Sequence, residues 1–253
     1  MELLDGELVG GHNQACSDLF NQKRIFLGSI RDPWEWYTSL WAHGCDHKGA
    51  IFNSVTKSRP VKLNLLHWRN NPYSAFLTLV LSRSKHPQEW LDTYADVNDV
   101  EGFRTWLSMM HSPKYSMDLR EGYGANSVSK NAGLLTYRYL KLFCTKSGNL
   151  KRLDKLSSFK QIKQYDSEHC FINRFIRNEH LEHDLFLALE DSSVNISDEE
   201  KTNILLSEKR NTSSKKHGTR HYYDRQSEKL IAKREKLIIE KFGYLAPSLK
   251  SSR

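Results

Sequence analysis

Arg31 and Ser39 are the side chains in this sequence whose types and spacing most clearly suggest chemistry. An arginine offers a forked, permanently charged set of donors that matches phosphate or sulfate, and a serine adds a short neutral donor. What surrounds them predicts how they are held. Ile25-Phe26-Leu27-Gly28-Ser29-Ile30 is an apolar run without alternation, as expected of a strand buried on both faces. It stops at Arg31-Asp32-Pro33, where Asp32 suits an N-cap, Pro33 the first helical position and Glu35 the third position of a capping box. Trp34, Tyr37, Leu40 and Trp41 then recur at helical spacing, and Gly44 is a natural stop. Residues 25–44 therefore read as strand, tight turn and helix. In open α/β sheets ligands sit beyond the C-terminal strand ends, where a helix N-terminus presents free N–H groups to an anion. The plainer alternative pairs Arg31 with Glu35 and leaves Ser39 as a small helix residue.

A second cluster, His43-Gly44-Cys45-Asp46-His47, packs metal-ligand types into five residues. Zinc sites take four ligands, usually from two such clusters, and no second Cys/His cluster follows. With Gly44 ending the helix between the two histidines, the expectation is an incidental loop and no metal. His217 and His221, also four apart, fall in a basic loop and read as solvated.

Along the rest of the chain, residues 45–72 and 112–129 read as loops, and helices are expected near 73–83, 87–95, 99–111 and 130–144. Cys170–Ile176 reads as a second buried strand, followed by a helix to about Glu190. Ser197-Asp198-Glu199-Glu200 is a capping box that opens a helix to about Glu208. The last helix spans about 223–241, with Gly243 as its stop. Strands alternating with helices predict an α/β fold in one domain. The longest strongly apolar run, Ala75–Leu81, is far short of the ~20 residues of a membrane span. No secretory signal is visible at the N-terminus, and Cys16, Cys45, Cys144 and Cys170 form no Cys-x-x-Cys pair. These features fit a reducing, cytoplasmic setting.

Charge is uneven. Residues 201–253 hold 14 Lys or Arg against 5 Asp or Glu, a surplus of nine, while the whole chain carries +8, so residues 1–200 sit at −1. A C-terminal basic region suits a polyanion. One reading is a nucleic-acid surface lined by Tyr222, Tyr223 and Tyr244; another is a solvated helix face with a tail.

The strand followed by Arg31-Asp32-Pro33, with Ser39 eight residues after the arginine, resembles the 3′-phosphate motif of sulfotransferases that use 3′-phosphoadenosine 5′-phosphosulfate (PAPS), and Trp34–Trp41 looks like a bacterial branch of that family. Arg177-Asn178-Glu179-His180-Leu181 with Asp184 is similar to a later strand-end segment of the family, and Tyr222–Tyr244 to its closing helix with a Phe-Gly-Tyr ending. Arg210-Asn211-Thr212-Ser213 resembles its basic loop over the nucleotide. The resemblance implies a P-loop-NTPase-like sulfotransferase core, a short parallel sheet flanked by many helices, over residues 1–246, with 247–253 as a flexible tail. It implies transfer of a sulfuryl group from PAPS to an acceptor hydroxyl or amine, carbohydrate included, with no metal. Arg31, Ser39, Arg210 and Ser213, with a basic residue from Arg210–Lys216, would hold the nucleotide, and His12 would be the general base. The family's Lys/Ser/Gly/Thr-rich loop for the 5′-phosphosulfate should precede His12, and the eleven residues there do not resemble it. Thr145-Lys146-Ser147-Gly148-Asn149 resembles it only in permuted order. The expectations are therefore an N-terminally truncated chain, another source of those contacts, or a nucleotide-binding remnant without transferase activity.

Overall fold

A computed structural model describes residues 25–56, 86–119, 121–145, 150–192, 194–207, 215 and 217–250. Two strands, β1 (Leu27–Ile30) and β2 (Arg174–Arg177), pair in parallel with Leu27 opposite Arg174 and Ile30 opposite Arg177. Helices make up most of what remains: α1 (Pro33–Cys45), α2 (Ala50–Thr56), α3 (Pro87–Thr93), α4 (Val100–Met110), α5 (Val128–Asn131), α6 (Leu134–Phe143), α7 (Phe159–His169), α8 (Leu181–Asp191), α9 (Asp198–Leu206), α10 (Thr219–Tyr222), α11 (Arg225–Arg234) and α12 (Lys236–Phe242). The class is α/β and mostly helical. No helix among the described residues is long and apolar enough to cross a membrane.

The strand pair departs from its expected burial. Gly28 and Ile30 face inward while Leu27 and Ser29 face out, so β1 is buried on one face. Leu27 is apolar yet exposed, which hid the alternation in the sequence. Phe175 lies opposite Gly28, and a side chain at Gly28 would press on its ring. The second strand starts at Arg174 rather than at Cys170, because Asn173 uses its side chain to accept the Phe26 N–H at 2.8 Å.

The core is aromatic. Trp34, Tyr37 and Trp41 line the inner face of α1 as their spacing predicted. They meet Trp90, Tyr94, Phe103, Trp106, Tyr222 and Tyr223, mostly edge to face, with Trp41 5.4 Å from Phe103 and 5.6 Å from Tyr222. Several polar tips are satisfied at the rim of the ring system: Trp41 Nε1 donates to the Thr93 carbonyl, Trp106 Nε1 to the Tyr94 hydroxyl, and the Tyr223 hydroxyl to the Trp34 carbonyl. Gly44 does not stop α1, which continues to Cys45. It is buried where a side chain would overlap the Tyr94 ring, so its smallness serves packing. Residues 50–56, expected as loop, are helical and bury Ile51, Phe52 and Val55.

A carboxylate is fully buried among these helices. Glu235, between α11 and α12, is 0% exposed. Its carboxylate accepts from Tyr37 Oη at 2.5 Å, Thr136 Oγ1 at 2.6 Å, Thr136 N at 2.8 Å and Leu135 N at 3.2 Å. Leu135 and Thr136 open α6, whose N-cap Gly133 has no side chain to cap it. Glu235 therefore caps α6 from a distant segment, at the end where the helix dipole favours a negative charge. Burial pushes the Glu235 carboxyl up, and the donors around it pull it back.

Gly133 leaves room for this carboxylate, and a methyl there would overlap Glu235 and crowd the Tyr37 hydroxyl. Gly133→Ala should lower unfolding free energy by about 2 kcal/mol or more, the scale of overpacking a tight core. Glu235→Ala, which strands several buried donors, should be more severe, as urea midpoints would show. A Gly133→Ala variant as stable as the wild type would contradict this account of the cap.

Candidate functional site

Arg31 follows β1 directly, and Ser39 lies two turns into α1, so both side chains reach the C-terminal end of the strand pair. Arg31 Nη2 donates to Ser39 Oγ at 2.8 Å. Among the described residues Arg31 thus pairs with Ser39 rather than with Glu35. Arg31 Nε is buried and has no hydrogen-bond partner among the described residues, and a buried N–H left so is costly. Ser39 accepts from the arginine and still has its own O–H to give. Together they present donors in one place to an anion.

The helix end itself contributes no free donor. Asp32 caps α1, its Oδ1 accepting from Trp34 N at 2.8 Å and Glu35 N at 3.2 Å. Trp36 N donates to the Asp32 carbonyl, and Pro33 has no N–H. The expectation of open backbone amides at this turn is thus corrected, because the cap residue uses them. The capping box is corrected as well. The Asp32 N–H goes not to Glu35 but to Glu179 Oε1, at 2.6 Å, from the segment just after β2. Glu35 instead receives Lys250 Nζ at 3.4 Å, which also reaches Asp32 Oδ2 at 2.7 Å.

Three segments singled out in the sequence meet here. Arg177, at the end of β2 beside Ile30, forks onto Asp184 through Nε at 2.8 Å and Nη2 at 2.9 Å. That pairing holds the Asp184 carboxyl well below the usual range. Glu179 accepts from Asp32 N and, at 3.3 Å, from the hydroxyl of Tyr244. Gly243, in the left-handed region at φ 69°, ends α12 and turns the chain so that Tyr244 reaches it. Strand end, second strand end and Phe-Gly-Tyr ending are thereby joined through one carboxylate.

Lys215 approaches the same place from the basic loop. Burial pushes its ammonium below the ordinary lysine range, with Glu35 and Asp32 pulling it back up and Arg31 and Lys250 adding to the lowering. Lys250 was expected to lie in a tail. Pro247–Leu249 instead form a helical turn, and Lys250, just after it, contacts Asp32 and Glu35. Its sequence gave no signal for this role, because its partners lie more than 200 residues away. His12, Arg210 and Ser213 lie outside the described residues, as do Lys146–Asn149.

Tyr222 and Tyr223, considered as stacking platforms for nucleic acid, are buried at 0% and 7% exposure and serve the core. The cluster His43–His47 does not assemble: His47 packs edge-on against Phe52, and burial pushes the Cys45 thiol up to about 12. Among the described residues, ligand types do converge at Cys144, Asp166 and Cys170, whose ligand atoms lie within 4.8 Å of one another. Lys241 Nζ already sits on both Asp166 oxygens there, at 2.8 and 2.9 Å, which opposes a second cation. No protein-family model, curated protein or solved structure matches the chain.

The Arg177–Asp184 fork makes stability depend on pH with a definite sign. A carboxyl held low in the folded state stabilises it above the ordinary carboxylate range, and this contribution is lost as the pH falls through and below that range. In urea titrations between about pH 7 and about pH 3, Asp184→Asn should flatten part of the acid-side loss seen in the wild type. An unchanged slope would show that the fork is not coupled to folding.

Proposed function

We propose that the ends of β1 and β2 bind a phosphorylated nucleotide, and that the chain uses PAPS to sulfurylate an acceptor hydroxyl or amine. The observation that carries the binding half is the Arg31–Ser39 pair, 2.8 Å apart, with the Arg31 Nε donor buried and unpartnered. A phosphate facing that pair would take the free guanidinium N–H and the serine O–H. Lys215 supports the same reading. Its ammonium is desolvated beside Arg31, and a ligand anion would supply the negative charge that burial makes favourable. The nearby carboxylates are engaged otherwise: Asp184 by Arg177, Asp32 by Lys250 and the α1 amides, and Glu179 by Asp32 N and Tyr244.

The transferase half rests on the resemblance of Arg31-Asp32-Pro33 with Ser39, Arg177–Asp184 and Phe242-Gly243-Tyr244 to PAPS-dependent enzymes. The nucleotide would supply the sulfuryl group. The acceptor oxygen or nitrogen would bond to sulfur as the bond from sulfur to the bridging phosphate oxygen breaks, with His12 receiving the acceptor's proton.

Adenosine 3′,5′-bisphosphate should raise the melting temperature of the wild type in a saturable way. Arg31→Ala should abolish the shift. Ser39→Ala and Lys215→Ala should each weaken binding by about tenfold, near 1.4 kcal/mol. Wild-type binding in Arg31→Ala would sink the assignment. Transfer of labelled sulfate from PAPS to a panel of hydroxyl and amine acceptors separates an active enzyme from a binding protein.

A further inference from the structure

At the end of the core away from the strand-end site, α6 and α7 finish side by side. Phe171 N donates to the Phe143 carbonyl at 3.0 Å, which brings the adjoining residues, Cys144 and Cys170, together. Cys144 is 2% exposed and Cys170 is half-buried. The Cys144 and Cys170 sulfurs lie within 4.8 Å of each other, and the Cys144 S–H donates to Asp166 Oδ1 at 3.7 Å. The Tyr139 hydroxyl stands 3.3 Å from Cys170 Sγ and 2.6 Å from Asp166 Oδ1. The backbone N–H of Ile172 points at the same sulfur. Lys241 Nζ, from α12, completes the ring of partners at 2.7 Å from Tyr139 Oη and within 2.9 Å of both Asp166 oxygens.

Every one of these donors favours an anion on Cys170. The neighbouring Cys144 comes first among the influences, and with the Tyr139 hydroxyl, the Ile172 N–H and Lys241 it lowers the Cys170 thiol, against the opposing effect of burial. Cys144 moves the other way, held as the protonated donor by Cys170 and by burial. The surroundings therefore favour the thiolate at Cys170, the sulfur with access to solvent, beside the buried Cys144 thiol.

We propose that Cys170 and Cys144 form a peroxide-reactive pair that closes a disulfide. In the first step the Cys170 thiolate attacks one oxygen of hydrogen peroxide. The S–O bond forms, the O–O bond breaks, and hydroxide leaves and is protonated to water, giving a sulfenic acid. In the second step the Cys144 sulfur attacks the Cys170 sulfur, the S–O bond breaks, and the Cys144 proton leaves with the hydroxyl as a second water. Both sulfurs are oxidised by one electron each, and the peroxide is reduced to two waters. The order follows from burial, because solvent reaches Cys170 and Cys144 is reached through it. A metal is the poorer occupant, since Lys241 already neutralises Asp166.

The test is a peptide map of the full chain after a few equivalents of hydrogen peroxide, quenched by alkylation. Trypsin should release Leu142–Lys146 joined to Gln164–Arg174, two hydrogens lighter than the sum of the free peptides and separable by dithiothreitol. With iodoacetamide at neutral pH, Cys170 should react at least about tenfold faster than Cys45, whose thiol burial pushes up. In Cys144→Ser, where a hydroxyl replaces the S–H donor, oxidation should stop at a sulfenic acid on Cys170 that dimedone traps. In Cys170→Ser no linkage should form. The proposal is overturned if Cys170 and Cys45 react at equal rates, if Cys170 links to Cys16 instead, or if one equivalent of zinc shields both thiols from peroxide. The wild-type map alone decides the question should either variant fold poorly.

Discussion

The buried carboxylate of Glu235 is the constraint on which the arrangement of helices depends. It lies 198 residues from Tyr37 and about 100 from Leu135 and Thr136, yet it accepts hydrogen bonds from all three. A charge in such a place is tolerable only when its lone pairs are filled, and here the filling groups are the open end of α6 and the inner face of α1. The orientation of α1 is fixed by this contact and by the aromatic rings around Trp41. Since Ser39 sits on the opposite side of that helix from the core, its position relative to Arg31 follows from how Tyr37 is held.

At the strand ends the same logic runs with charges partly in water. Glu179 is to that region what Glu235 is to the core: a carboxylate that gathers a backbone N–H from one segment and a hydroxyl from another. The acidic groups are occupied by partners within the protein, whereas Arg31 retains an unfilled donor. Under the proposed function, that imbalance, rather than a raw excess of positive charge, is what would draw an anion to the site. The C-terminal surplus of basic residues contributes through particular side chains, Lys215 and Lys250, and the tyrosines beside it belong to the core.

What the sequence revealed was local. The cap at Asp32, the proline after it, the aromatic stripe of α1, the Ser197 capping box and the left-handed stop at Gly243 each depend on neighbours within a turn or two, and each is found. That Arg31 and Ser39 share one place was also legible, because they stand eight residues apart, with two turns of α1 between them. What escaped depended on distant partners. Gly44 looked like a stop and is a contact point for Tyr94. Glu35 looked like the partner of the Asp32 N–H, but Glu179 holds it from across the strand pair. Residues 50–56 carry no cap or breaker that would mark a helix, and the burial of Ile51, Phe52 and Val55 supplies what propensity did not. The closeness of Cys144 and Cys170 arises from two helix ends meeting, which no spacing between cysteines encodes.

The parallel pairing of β1 with β2 also sets a clock for synthesis. Phe26 and Asn173, which start the pairing, are 147 residues apart. At roughly 5–20 residues per second a ribosome needs on the order of 10 s to make that stretch. During that interval β1, with exposed Ile25 and Leu27 at its start, has been made while β2 has not. An unpaired strand edge with apolar side chains is a template for pairing with other chains. The nascent protein thus passes through a period in which the segment bearing Arg31 is more open to association than it is in the finished fold, and in which a chaperone that covers short apolar segments would have the most to protect.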